Sequence, residues 1–396
     1  MTLQELKREV QEELTGNILP YWMEKMCDGE RGGFYGRISG DDELFADCER
    51  GAILTARILW TFSAAYRVLG KQEYLSAATH AYRELTEKFY DREFGGLYWA
   101  VKPDGEVLSD KKQIYALGFG IYGLSEYYRV TKKIEALDLA VELFETIERY
   151  SFDKQNNGYF EALSRDWQPL GDMRLSDKDE NLAKTMNTHL HILEPYTNLF
   201  RVYKDSFLEK QLRNLIELFL EKIISSESYH LGLFFEDDWR VSSQDLSYGH
   251  DIEAAWLLHE AAEVLGDGEL LARVREVAPK IVEAASEGIM EDGSMIYEYS
   301  VAKNHYDRER HWWVQVEAIV GLLDNYHLTG SELSKTQLFG VWDYIKKNLI
   351  DSTNGEWHWG ILDDGSVNRK DDKAGFWKCP YHNSRMCLEI IERDYE

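Results

Sequence analysis

A short motif returns six times along the chain, and its spacing constrains the fold more than any other feature. It reads GGFYGRI (32–38), GGLYWAV (95–101), NGYFEAL (157–163), LGLFFEDDW (231–239), DGSMIYEYS (292–300) and NGEWHWGIL (354–362). Each copy joins a glycine to alternating aromatic or apolar residues, the pattern of a tight turn running into a short strand. With Gly33, Gly96, Gly158, Gly232, Gly293 and Gly355 as markers, the steps are 63, 62, 74, 61 and 62 residues. A fixed period of this kind is the mark of a repeat architecture, in which each unit buries its apolar face on its neighbours.

The text between the motifs is helical. RGAILTARILWTFSAAYRVLG (50–70), YALGFGIYGLSEYYRV (115–130) and AAWLLHEAAEVLG (254–266) carry apolar residues at helical spacing. About 62 residues accommodate two helices and a hairpin-like loop, and the N-terminal helix completes the last pair. The expected fold is all-α: an (α/α)6 barrel of six helix-pair repeats with short β-hairpin loops, and residues 1–396 form a single catalytic domain. An open solenoid of the same pairs would need polar caps at both ends, and the terminal units are as apolar as the middle ones.

Charge narrows the partners. Lys plus Arg number 45 against 71 Asp plus Glu, a formal net charge of −26. Such a surface repels nucleic acid and anionic membranes and suits a neutral substrate. No run approaches the roughly 20 apolar residues of a membrane span, and MTLQELKREVQEEL at the start lacks the apolar stretch of a signal peptide. Cys27, Cys48, Cys379 and Cys387 match no zinc spacing. They read as free thiols in a reducing cytoplasm. Twelve Trp and 24 Tyr are numerous enough to serve both a core and a sugar site, since pyranose C–H faces stack on flat rings.

The starts of the helices that follow the marker loops carry unusual residues: Arg57, Tyr115, Asn187 with His191, His250 with Glu253, Trp313 with Glu317, and His382. In a closed repeat these segments would converge on one central funnel. In KTMNTHLHILEPYTNLF (184–200), Asn187 and His191 share a helical face and His189 points elsewhere. The helical period argues against metal binding by the H-x-H pair. In SYGHDIEAAWLL (247–258), Glu253 stands where a carboxylate could fix the tautomer of His250. HWWVQVEAIVGLL (311–323) puts Trp313 and Glu317 on one face. FWKCPYHNSRMCLEII (376–391) places His382 at a helix start with Trp377 just before it. Arg57 interrupts an apolar run and needs either a partner or a ligand oxygen. There is no P-loop, no dinucleotide fingerprint, no G-x-S-x-G and no H-E-x-x-H.

The segments RGAILTARILWTFSAAYR, KTMNTHLHILEPYTNL, SYGHDIEAAWLL, WWVQVEAIVG and WKCPYHNSRMCLEII resemble the cellobiose 2-epimerases, a branch of the N-acylglucosamine 2-epimerase superfamily. The likeness runs from about residue 15 to 392 and implies the same (α/α)6 barrel. It implies that His250 and His382 are the acid/base pair and that His191 stands beside the substrate carbonyl. Arg57 would hold the oxygens at C1 and C2, and Tyr115, Asn187 and Glu253 would complete the polar pocket. Trp313, in preference to Trp312, and Trp377 would stack on sugar rings.

The implied reaction interconverts the reducing-end glucose of a cellobiose-like β-1,4-disaccharide with mannose, without cofactor or metal. Three other readings compete: an aldose–ketose isomerase of mannose isomerase type, a glycoside hydrolase, and a non-catalytic binding barrel. A hydrolase needs two carboxylates about the scissile bond, and histidines stand in those places. The expected state is a monomer or weak homo-oligomer.

Overall fold

The computed structural model describes residues 1–176 and 179–393. Helices α1 (Leu3–Glu13) and α2 (Leu19–Glu24) are joined by a π-helical turn and precede α3 (Ala52–Leu69) and α4 (Gln72–Glu84). Four further pairs follow: α5 (Ile114–Thr131) with α6 (Ile134–Tyr150), α7 (Met186–Val202) with α8 (Ser206–Leu218), α9 (Tyr248–Leu265) with α10 (Gly268–Ala285), and α11 (Trp312–Thr329) with α12 (Glu332–Asn348). The last helix is α13 (Tyr381–Glu392).

The two helices of a pair differ in burial for a reason visible in their sequences. In α3 every residue from Ala52 to Ala65 is buried, as expected of a helix apolar nearly all round. In α6 the buried set is a stripe, Ala136, Ala140, Leu143, Phe144 and Ile147, with charged residues elsewhere. The first helix of each pair is thus an inner element and the second an outer one.

The chain groups into two compact units. One comprises Thr2–Ala183, Thr353–Glu356 and Arg369–Glu396; the other comprises Lys184–Ser352, Trp357–Asn368 and Met1. Within the first, α3 packs on α4, α5 and α13, and α13 also packs on α1. The N-terminal helix therefore completes the sixth pair. Within the second, α9 packs on α7, α10 and α11.

The recurring motif explains how each inner helix begins. Its strand pairs antiparallel with the two residues before the preceding inner helix: Ala100–Val101 with Arg50–Gly51, Ala162–Leu163 with Lys112–Gln113, Phe234–Phe235 with Lys184–Thr185, and Gly360–Ile361 with Arg310–His311. The first copy bridges Ile38 to Ala374, just ahead of α13. Helices α3, α5 and α11 have no side-chain N-cap. Instead the amides of Ala52, Ile114 and Trp312 donate to the carbonyls of Trp99, Glu161 and Trp359 at 2.9–3.0 Å. The orphan donors of a helix start are satisfied by the neighbouring repeat.

Three markers were out of register: Gly232 by two places, and Gly293 and Gly355 by one. Each motif opens on an isolated bridge whose second residue is Phe34, Leu97, Tyr159, Leu231, Met295 or Trp357. These lie 63, 62, 72, 64 and 62 apart, so Gly232 is out of register with Gly33, Gly96 and Gly158. Those three have positive φ; in the fourth copy Tyr229 (φ 61°) makes the turn and His230 takes the next place. The long third step comes from extra residues between Leu163 and Lys184.

Buried cations lock motif to helix. Arg50 bonds to Glu84 and, at 2.5 Å, to Asp28; Lys112 reaches Asp91 at 2.9 Å; Lys378 reaches Glu356 at 2.5 Å. All seven residues are buried. A charge removed from water at such sites is tolerated only with its partner in place.

Candidate active site

The sequence-derived candidates fall on the first two turns of the inner helices, except Trp377, which precedes α13. Arg57, His191, Glu253 and Glu317 each occupy the sixth residue of their helix, and Tyr115, Asn187, Trp313 and His382 the second. Helix starts pinned by the strand pairs hold these positions in a common register.

In the second unit, His191 stands on the second turn of α7 and His250 on the first turn of α9. His191 is buried, and its Nδ1 lies 3.1 Å from Oε2 of Glu194. The Nδ1 of His250 lies 2.8 Å from Oγ of Ser247. Glu253, the expected tautomer-fixing partner, is not the group at that nitrogen; the hydroxyl of Ser247, the residue before the helix, stands there instead. Burial, followed by the nearby His191, pushes His250 down to about 3. At neutral pH its ring is an uncharged base.

The ring of Trp313 lies 4.7 Å from that of His250 and 6.2 Å from Tyr297. Trp312 is instead buried, 4.7 Å from Trp359. Of the two adjacent tryptophans, Trp313 is the one beside the histidine. Asn187 presents a buried Oδ1 with no hydrogen-bond partner among the described residues, an acceptor suited to a ligand hydroxyl. Glu253 is buried, and buried Glu317 accepts a bond from Nε1 of Trp256 at 3.1 Å. His189 points away, with its Nδ1 2.6 Å from the Thr185 carbonyl oxygen. Burial holds it down at about 4.

In the first unit, Arg57 is buried and donates from Nη2 to the Tyr115 hydroxyl at 2.6 Å and from Nη1 to the Trp377 carbonyl at 3.4 Å. Its guanidinium lies 4.1 Å from the Phe119 ring and 5.1 Å from Tyr381. These aromatic faces stabilise the cation. Buried His382 packs against Tyr381 at 4.7 Å. Trp377 lies 5.9 Å from Trp99 and 5.6 Å from Phe376, a half-exposed aromatic cluster beside the arginine.

The family model described as N-acylglucosamine 2-epimerase (GlcNAc 2-epimerase) matches residues 33–385. The chain belongs to the N-acylglucosamine 2-epimerase family. A family member, the cellobiose 2-epimerase of Bacteroides fragilis, is 58% identical over 386 residues, 98% of each chain. The solved cellobiose 2-epimerase of Bacillus thermoamylovorans B4167 superposes with a TM-score of 0.95 at 44% identity, over 99% of this chain and 100% of that one. The D-mannose isomerase of Marinomonas mediterranea is 21% identical over 92% of each chain. The superposition fixes the fold class of this 2-epimerase family member as the expected all-α (α/α)6 barrel with short strand pairs. Like its family, it is an enzyme of the isomerase class.

Sequence reasoning missed Glu194, Ser247, Tyr297, Trp99 and Phe376. Glu194 follows His191 by three residues and Ser247 precedes His250 by three, so helical spacing could have found both. Trp99 and Phe376 come together from distant repeats, and no local signal marks that.

Proposed function

We propose that this enzyme epimerises C2 of the reducing-end glucose of cellobiose-like β-1,4-disaccharides, giving the mannose-containing epimer through a cis-enediolate. The observation that carries the reading is the placing of His250 4.7 Å from the indole of Trp313, at a helix start in the same register as the one that carries His191. Its support from relatives is the 58% identity to a cellobiose 2-epimerase.

The chemistry follows from what a C2 proton requires. The ring must open so that the carbanion at C2 delocalises into the C1 carbonyl. An uncharged imidazole then takes the proton, and delivery of a proton to the opposite face inverts the centre. We assign His250 and His382 to the two faces and His191 to the substrate carbonyl. Arg57 holds O1 and O2 and, with His191, stabilises the oxygen as it gains charge. Tyr115 fixes Arg57, and Asn187, Glu253 and Glu317 complete the polar lining. Trp313 and Trp377 offer faces to the two sugar rings. In this reading residues 1–396 act as one catalytic domain, and the partner is a neutral disaccharide bound by a monomer or weak homo-oligomer.

Among the described residues no helix is long and apolar enough to cross a membrane, and all four cysteines are free thiols. We place the enzyme in the cytoplasm on that chemistry.

Incubation with cellobiose in heavy water tests the proposal. Glucosyl-mannose labelled at C2 is the expected product. A ketose as the main product would replace it with an aldose–ketose isomerase, free glucose with a hydrolase, and binding without label with a non-catalytic barrel. His250→Ala and His382→Ala should each cost far more than the tenfold of a 1.4 kcal/mol contact.

A further inference from the structure

We propose that Glu194 is a positioning residue for the reaction: it fixes His191 as the Nδ1-protonated tautomer and turns Nε2 toward the substrate. The proposal rests on the epimerase reading for what His191 then does, but its geometry stands alone. Glu194 is buried one turn beyond His191 on α7, with Oε2 3.1 Å from the Nδ1 of His191. A carboxylate only accepts hydrogen bonds, so Nδ1 carries the proton. Pro195 follows at once inside the helix, and it removes the amide that would have bonded to the His191 carbonyl. The turn that holds the dyad is thus set off from the regular ladder.

The contrast with the other histidines gives the dyad its meaning. Ser247, the partner of His250 at 2.8 Å, both donates and accepts, so it tolerates either tautomer of that ring. His191 has no such freedom: with Nδ1 committed to Glu194, only Nε2 faces the sugar oxygen. When His191 binds a second proton, Glu194 sits against the imidazolium and supports it. In that imidazolium form His191 donates from Nε2 to the substrate oxygen, whereas the neutral ring only accepts there.

Two measurements test this. Nitrogen-15 NMR of the wild-type protein, with the His191 ring identified by its loss in His191→Gln, should show Nδ1 protonated and Nε2 unprotonated while the ring is neutral. The opposite tautomer overturns the proposal, whatever the substrate proves to be. In the epimerase assay, Glu194→Gln should lower kcat about 10- to 100-fold with little change in KM, and should add little to the loss already caused by His191→Gln. An equal loss in the presence and absence of the His191 ring would show that Glu194 acts elsewhere, and an unchanged kcat would overturn the proposal outright. If wild-type protein leaves cellobiose unchanged, the functional reading fails while the tautomer result still decides the dyad.

Discussion

The indole of Trp313 and the imidazole of His250 lie 4.7 Å apart, their planes tilted by 47°. The pair is held from behind: a Cβ added at Gly249 would sit 2.8 Å from the Trp313 ring and 2.9 Å from Val314. Gly249→Ala should therefore displace the indole and overpack the site, costing about 1–3 kcal/mol of stability. Trp313→Ala should instead leave the fold intact and raise KM about tenfold or more, from the loss of a stacking face. Thermal unfolding and steady-state kinetics separate the two; an unchanged KM in Trp313→Ala would remove the indole from the binding surface.

Acid should destabilise the protein through its buried imidazoles. Burial holds His250 at about 3 and His189 at about 4, whereas both titrate near about 6.5 in the unfolded chain. Between those values the unfolded state binds more protons. Stability is therefore fully present above pH about 6.5 and declines as the pH falls toward 4 and then 3. Denaturation midpoints measured down the pH scale should show the decline, and His250→Asn should flatten it. A folded-state NMR titration of His250 with a midpoint above 6 would contradict the assignment.

Arg57 should depend on its aromatic surroundings. Tyr115→Phe deletes the hydroxyl that accepts from Nη2 at 2.6 Å, and kcat/KM should fall about tenfold. Arg57→Lys keeps the charge but loses the planar group that lies over Phe119, so the loss should be larger. Equal activity in Arg57→Lys and wild type would show that charge alone suffices.

Lys378→Met should unfold the chain more readily, by about 3–5 kcal/mol, because it leaves the Glu356 carboxylate buried without its cation. Glu356 also accepts from Asn383 at 2.8 Å and from Trp22 at 3.3 Å. The substitution loosens the start of α13, and activity should fall with it because His382 lies there. Glu356→Gln in the same background should restore part of the stability, which chemical denaturation would detect.

The six repeats were legible because burial must follow the helical period in every unit, and a period survives sequence drift. The candidate positions at the inner helix starts were legible for a related reason. A charged or polar residue on a helix buried all round, such as Arg57 or His191, has few structural excuses. The misplaced fourth marker shows the limit: glycine is the usual residue at positive φ, but Tyr229 makes the turn there, and spacing alone aligned Gly232 instead.

Sequence by itself determined the element types, the repeat count and the family, since all three are written in local spacing and in long matched segments. Tertiary structure alone decided which tryptophan faces His250, that Ser247 and not Glu253 bonds to its Nδ1, and that Phe119 and Tyr381 cradle Arg57. Those outcomes depend on where a neighbouring repeat's strand or helix lands, to within the length of a hydrogen bond. A one-dimensional period carries no information at that scale.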